Sequence, residues 1–291
     1  MTLDQSLDMT LAERIDALAS TPPGDVLPPD AEMAVAELLA LLEAGTVRSA
    51  VRDEQGRWQA VPWVKRGILL AFRAGKVVDL SPSRGNASSP FSFFDKHTVP
   101  TRAFAATDQV RIVPGGSSVR RGAYVAPGVV CMPPMFINVG AWVGAGTMVD
   151  SHALVGSCAQ VGERVHLSAA AQVGGVLEPV NASPVIIEDE AIVGGNCGVY
   201  EGTVVRARAV LAAGVVLTRG TPVYDLVHEV VYRATADRPL EIPAGAVVVP
   251  GARAVKSTWG VGEGLSVQTP VIVKYRDDKT DLATALESWL R

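Results

Sequence analysis

Aromatic residues make up only 5% of this 291-residue chain, and its 26 lysines and arginines fall short of its 30 aspartates and glutamates. The first shortage excludes a core built around large rings. The second leaves a formal net charge of −4, which argues against nucleic acid or a general membrane surface as partner. Cysteine is scarce too: Cys131, Cys158 and Cys197 stand far apart with no CxxC spacing, which fits reduced thiols in a cytosolic protein better than disulfides. No stretch reaches 18 apolar residues, and the opening MTLDQSLDMTLAERIDALAS has no apolar signal core. The expected location is therefore cytoplasmic.

What the chain has in abundance is small and branched apolar residues, 48% of it being hydrophobic, and they are spaced in sixes. Val113, Val119, Val125, Cys131, Ile137, Val143, Val149, Val155, Val161, Leu167 and Val173 form one unbroken series; Ile187, Val193, Val199, Val205, Leu211, Leu217 and Val223 form a second. A period of six fits neither a helix nor an ordinary strand, but it is the signature of a β-helix whose repeats are the flat sides of a triangular coil. The 111 residues from Val113 to Val223 then make about six coils, stacked about 4.8 Å apart. The residue after each apolar position is Gly144, Asp150, Gly156, Gly162, Ser168 and Gly174 across one stretch, small residues that suit a corner where positive φ is needed. The two series are out of phase across Val176–Pro184, which reads as a loop ejected from one corner.

Upstream the pattern changes. Asp30 is placed to cap a helix over Ala31–Glu43 that stops at Gly45, and a second helix starts near Val61. Between them TVRSAVRDEQGRWQAV reads as strand, turn and return strand. Asp79–Pro90 is polar and rich in Pro, Gly and Ser, the composition of a linker. Downstream, EIPAGAVVVPG and VIVKYR supply strand material and Lys279–Leu290 a short helix, of the kind that covers the open end of a solenoid. The expected domains are a mostly helical 1–105, a β-helix over 106–250 and a capping element over 251–291.

The runs VRIVP (110–114), RRGAYVAPGVVCMPPMFINVGAWVGAGTMVDSHALVGSCAQVGERVHLS (120–168), GGVLEP (174–179), NASPVIIED (181–189) and IPAGAVVVPG (242–251), with GRWQAVPWVKRGILLAFR (56–73) and FDK (94–96), resemble the tetrahydrodipicolinate N-succinyltransferases of lysine and diaminopimelate biosynthesis. The likeness covers nearly the whole chain. It implies a homotrimer of left-handed β-helices with active sites in clefts between subunits. It further implies transfer of succinyl from succinyl-CoA, as co-substrate rather than tightly bound cofactor, to the amino group of open-chain tetrahydrodipicolinate. The handedness comes from the resemblance alone, because parallel strands are otherwise connected right-handedly.

Within that frame Asp150 is the sharpest candidate, a lone charge in a corner series of Gly and Ser. By resemblance the Asp of the MVD motif contacts the amino-acid substrate and orients or deprotonates its amine; the structural alternative is a corner hydrogen bond. Arg111 matches a family arginine that binds a substrate carboxylate, for which a guanidinium is suited. Aligning NASPVIIED with the EG pair at 201–202 places Gly198 where the family has a catalytic glutamate and Asn196 where it has an arginine. Glu201, three residues on, is the nearby replacement, although Glu163 and Asp189 share its repeat phase as solvated corner carboxylates. Arg206, Arg208, Arg219, Arg253 and Lys256 are candidate partners for coenzyme A phosphates, and the backbone amides of Gly194–Gly195 and Ala212–Gly214 for its pantetheine arm. His152 and His166, fourteen residues apart, are read as structural or surface histidines, and no metal site is expected. The alternatives are an acetyl-CoA-dependent enzyme of the same fold acting on a related amino-dicarboxylate or sugar nucleotide, and a non-catalytic solenoid. The latter would carry a flat array of identical outward residues, which is missing.

Overall fold

The computed structural model describes residues 9–82 and 92–277, and Lys279–Leu290, where a terminal helix is expected, lies outside them. The repeats form a three-faced parallel prism of two-residue rungs. Face 1 stacks Arg111–Ile112, Val130–Cys131, Met148–Val149, His166–Leu167, Ile192–Val193 and Val210–Leu211. Face 2 stacks Ser118–Val119, Phe136–Ile137, Leu154–Val155, Gln172–Val173, Gly198–Val199 and Val216–Leu217. Face 3 stacks Tyr124–Val125, Trp142–Val143, Gln160–Val161, Ile186–Ile187, Val204–Val205 and Glu241–Ile242. The second residue of each rung points inward, and from Val119 to Val248 these side chains merge into one buried column. Burying each Val, Leu or Ile is worth about 1.5–3 kcal/mol, so the period of six persists because every sixth side chain falls in the core.

In the middle of the prism successive coils pair 18 residues apart, Trp142 with Gln160 and Met148 with His166. The first rung pairs Ile112 with Cys131, 19 apart, so Ile112 rather than the expected Val113 holds that place in the series, and the last coil pairs Val204 with Glu241, 37 apart. At the ejected loop Gln160 pairs with Ile186; 186 minus 160 is 26, eight more than one coil. The loop leaves the corner between faces 2 and 3 and is held down by Lys65, whose Nζ donates to the Ala182 carbonyl at 2.5 Å.

The small-residue series has a different cause from the one expected. Left-handed φ occurs three positions after the inward residue, at His152, Cys158, Arg164, Ala170, Glu190, Asn196 and Arg208, and at Gly122, Gly128, Gly140, Gly146 and Gly214. Gly144, Gly156 and Gly162 are absent from that set. They are small because a Cβ on Gly144 would lie 2.5 Å from the Gly162 carbonyl group, and one on Gly156 would lie 2.1 Å from the Gly175 nitrogen. Coil-on-coil contact, not turn geometry, demands glycine there.

Helices α1 (Leu11–Ala19), α2 (Ala31–Glu43) and α3 (Pro62–Ala74) pack together and onto the prism through Val139 and Cys158. The sequence reading missed α1, although TLAE is a capping box: the Thr10 N–H donates to Glu13 Oε2 at 2.8 Å and Thr10 Oγ1 accepts from the Glu13 N–H. Asp30 makes no side-chain cap. It already has helical φ and ψ and sits in a turn closed by the Ala31 N–H on the Pro28 carbonyl, so its carboxylate is not aimed at the first free amides. Ala50–Arg52 and Trp58–Ala60 form the expected hairpin. Asp79 ends a strand, Val77–Asp79, paired with Phe94–Lys96, rather than opening a loop; positions 83–90 of the expected linker lie outside the described residues.

The strand Ala246–Ala254 leaves the last rung of face 1 and returns as Ser266–Tyr275, with helix α4 (Thr258–Gly262) between them. It therefore runs across position 250. Beside it the hairpin Val223–Asp225/Val230–Tyr232 is anchored by Asp225, 2% exposed, which accepts hydrogen bonds from Tyr275 Oη (2.7 Å), His228 Nδ1 (2.9 Å) and the Val227 N–H (2.9 Å). Burial alone would raise this carboxyl; the hydrogen bonds outweigh it and hold the pKa at about 2, below the ordinary 3.8. A depressed folded-state pKa adds stability above the unfolded value and loses it as pH falls through the folded one. The urea midpoint should therefore decline as pH is lowered from about 4 towards 2, and Asp225→Asn should lower the neutral-pH midpoint and remove that part of the decline.

Candidate active site at the corner between faces 1 and 2

The turns that carry the chain from face 1 to face 2 stack as Met132–Met135, Asp150–Ala153, Ser168–Ala171, Gly194–Cys197 and Ala212–Val215. Asp150 is half-buried in the second of them. One carboxylate oxygen accepts from the Ser151 N–H at 2.7 Å; the other makes no hydrogen bond to a described residue, so it is available to a ligand. His152 follows at φ 62° with its ring exposed. Arg111 is exposed on the first rung of face 1, two rungs from Met148, about 10 Å at strand spacing. His166 lies on the same face between Met148 and Ile192.

Higher in the same corner stand Asn196 and both glycine-rich turns. The peptide N–H groups of Gly195 and Ala213 make no hydrogen bond among the described residues, so the corner presents backbone donors two and three coils from the aspartate, about 10 and about 14 Å at strand spacing. Gly198 is buried one rung on, in face 2, and a Cβ there would meet the Tyr200 ring at 2.4 Å. Tyr200 thus occupies the space a longer side chain at 198 would need.

Glu201 is at another corner, between faces 2 and 3, with φ 53° and its carboxylate accepting from the Arg219 N–H at 2.8 Å. Glu163 and Asp189, of the same repeat phase, sit at the third corner, between faces 3 and 1. Repeat phase repeats every six residues but a corner every eighteen, which spacing in sixes does not distinguish.

The five cations separate as well. Arg206 is committed to Glu188 at 2.9 Å and Glu241 at 2.8 Å. Arg208 pairs with Glu190 at 3.3 Å, and Arg219 Nη2 donates to the Thr235 and Ala236 carbonyls. Arg253 and Lys256 lie together on the C-terminal hairpin and its turn. The three cysteines are buried and unpaired; burial pushes the Cys131 thiol up to about 12 and that of Cys158 to about 11, the opposite of an activated nucleophile. Among the described residues no cluster of His, Cys, Asp and Glu could hold a metal ion, and no helix is long and apolar enough to cross a membrane.

Two family models match the chain: the N-terminal part of tetrahydrodipicolinate N-succinyltransferase at residues 15–74, and the hexapeptide repeat of succinyl-transferase at 184–219. The chain is 39% identical over 295 residues to the 2,3,4,5-tetrahydropyridine-2,6-dicarboxylate N-succinyltransferase of Nitrobacter winogradskyi, spanning 98% of each. It is 40% identical over 268 residues to that of Polynucleobacter asymbioticus, spanning 91% of each. The prism is accordingly a left-handed β-helix. Identity at this level along essentially the full length of both chains means that the protein belongs to the tetrahydrodipicolinate N-succinyltransferase family.

Proposed function

We propose that the protein is an acyltransferase that moves succinyl from succinyl-CoA to the amino group of open-chain tetrahydrodipicolinate. The observation that carries this reading is 39% identity over 98% of a relative bearing that activity in its name. The chemistry needs few protein groups. Once the ammonium has lost one proton, its nitrogen attacks the thioester carbonyl, the new C–N bond forms as the C–S bond breaks, and the departing thiolate takes up the second proton lost by the nitrogen. Asp150 orients the ammonium and accepts its proton. Arg111 takes a substrate carboxylate. The free N–H groups of Gly195 and Ala213 suit the donor's carbonyls, and most of the acceleration comes from holding amine and thioester together. Arg253 and Lys256 are the cations best placed to meet coenzyme A phosphates, since Arg206, Arg208 and Arg219 already have intramolecular partners.

Gly198 and Asn196, in place of the glutamate and arginine that the resemblance led one to expect, favour testing the acetyl-CoA alternative alongside. Thiol release from succinyl-CoA and acetyl-CoA, each with tetrahydrodipicolinate, decides the matter. The expected result is a kcat/KM for succinyl-CoA at least tenfold higher, and the reverse order would establish the acetyl enzyme.

A site on a single prism corner is too open to enclose two substrates, and faces 1 and 2 carry half-buried or exposed apolar side chains at Met148, Ile192, Leu154 and Val216. The expected assembly is a homotrimer in which these faces meet and complete the site. Light scattering should give about three times 30.5 kDa; a fully active monomer at nanomolar concentration would refute it.

A further inference from the structure

On face 3, away from the Asp150 corner, the hairpin Ala50–Arg52/Trp58–Ala60 roofs a cavity of about 360 Å³. Its floor is the stacked pair Tyr124 and Trp142, ring centroids 3.9 Å apart. Arg48 sits over this floor with its guanidinium carbon 4.1 Å from the Trp142 ring centroid and 5.1 Å from that of Trp58. Its Nε–H donates to Gln160 Oε1 at 2.5 Å, and Gln160, 1% exposed, is fixed in turn by donating to Ser49 Oγ and the Cys158 carbonyl, both at 2.8 Å. The guanidinium is thus held rigidly, while its two Nη groups make no hydrogen bond to a described residue. Burial, then the neighbouring Arg52, lowers its pKa to about 10, still cationic at neutral pH.

The remaining charges of the lining are mostly cancelled. Arg52 pairs with Glu188 at 2.9 Å, and Glu188 also accepts from Trp58 Nε1 and Arg206. Glu163 pairs with Arg164 at 3.0 Å. Asp189 is different: one oxygen accepts from the Glu163 N–H at 2.8 Å, but among the described residues it makes no ion pair. Both Asp189 and Arg48 line the cavity, and no ion pair or hydrogen bond joins them. One cation and one anion therefore face a common space without touching.

We propose that this cavity binds a small zwitterion, an α-amino acid whose carboxylate lies on the free Nη groups of Arg48 and whose ammonium lies on Asp189, with its side chain against Pro127 and Ala145 of the lining. A bare anion would satisfy Arg48 but leave Asp189 beside a like charge; a bare amine would do the same to Arg48 and Arg52. Only a ligand carrying both charges pairs both groups. The cavity is within the usual size range for small-molecule sites, and the apolar Pro127 and Ala145 of its lining favour an apolar side chain over a polar one.

The test compares three probes of matched skeleton on the wild-type protein by calorimetry or by quenching of Trp58 and Trp142 fluorescence: L-leucine, its deaminated acid 4-methylpentanoate and its decarboxylated amine 3-methylbutylamine. Leucine should bind at least about tenfold more tightly than either, a factor typical of one lost charged hydrogen-bond pair. Arg48→Gln and Asp189→Asn should each weaken leucine by a similar factor with the molecular mass and circular dichroism unchanged. Equal binding of the acid would reduce the site to an anion pocket, and equal binding of the amine to a cation pocket; either overturns the proposal. So does failure of leucine, methionine and phenylalanine all to bind at up to about 10 mM. Because the readout is binding and the comparison needs no mutant, the result is independent of whether the protein transfers succinyl.

Discussion

Asp150→Asn is expected to lower kcat by about 10²-fold or more, the usual scale for a general-base or amine-orienting carboxylate, while the protein remains folded and its assembly state is unchanged. The asparagine keeps an oxygen for the Ser151 N–H, the one hydrogen bond this carboxylate makes among the described residues, so the structural cost is small and the loss reads out chemistry. Glu201→Gln is the comparison. That carboxylate lies at a different corner and is engaged by the Arg219 N–H, a bond that glutamine's carbonyl also accepts, so kcat should change less than tenfold. Steady-state kinetics of both variants with succinyl-CoA checks the ranking. A larger loss at Glu201 than at Asp150, in two folded proteins, would move the reaction to the other corner and sink this assignment.

Gly144→Ala is expected to destabilise the protein by about 3 kcal/mol or more, the upper range for overpacking, and Gly128→Ala by only about 1–2 kcal/mol, the cost of an L-residue at positive φ. The new methyl at 144 would lie 2.5 Å from both the carbon and the oxygen of the Gly162 carbonyl and 2.7 Å from the Glu163 nitrogen. All three are backbone atoms of the coil above, so relief requires separating two rungs and stretching the hydrogen bond from the Gly144 N–H to the Val161 carbonyl, now 2.9 Å. At 128 the nearest atom would be 3.5 Å away, but φ is 79°. Urea midpoints of the two variants give the comparison. If the positive-φ glycine proved the more costly, turn geometry rather than stacking would govern the small-residue series.

The prism could be read from the sequence because its determinant is local and repeated. One residue in six must enter a narrow core, and this holds from Val119 to Leu217 whatever the rest of the chain does. The matching runs around Asp150 likewise declared the family, and Asp150 stood out as a charge among Gly and Ser. The capping box ahead of α1 was equally present in TLAE, though unread. What stayed hidden depends on registers that the hexapeptide does not encode. Positions six apart lie on different faces, so only the observed pairing, with eight residues inserted between Gln160 and Ile186, separates Glu201 from Glu163 and brings Asn196 over the corner of Asp150. Nor does a count of cations tell a free arginine from a committed one. Arg206 is spent on Glu188, 18 residues earlier, and Glu241, 35 later. The cavity under the hairpin is the extreme case, since Arg48 meets Gln160 across 112 residues of sequence. Periodicity specifies which side chains a solenoid buries, because burial repeats with the coil; which charges face one another is decided only when the helical domain docks on the finished prism, a single long-range event that leaves no period in the chain.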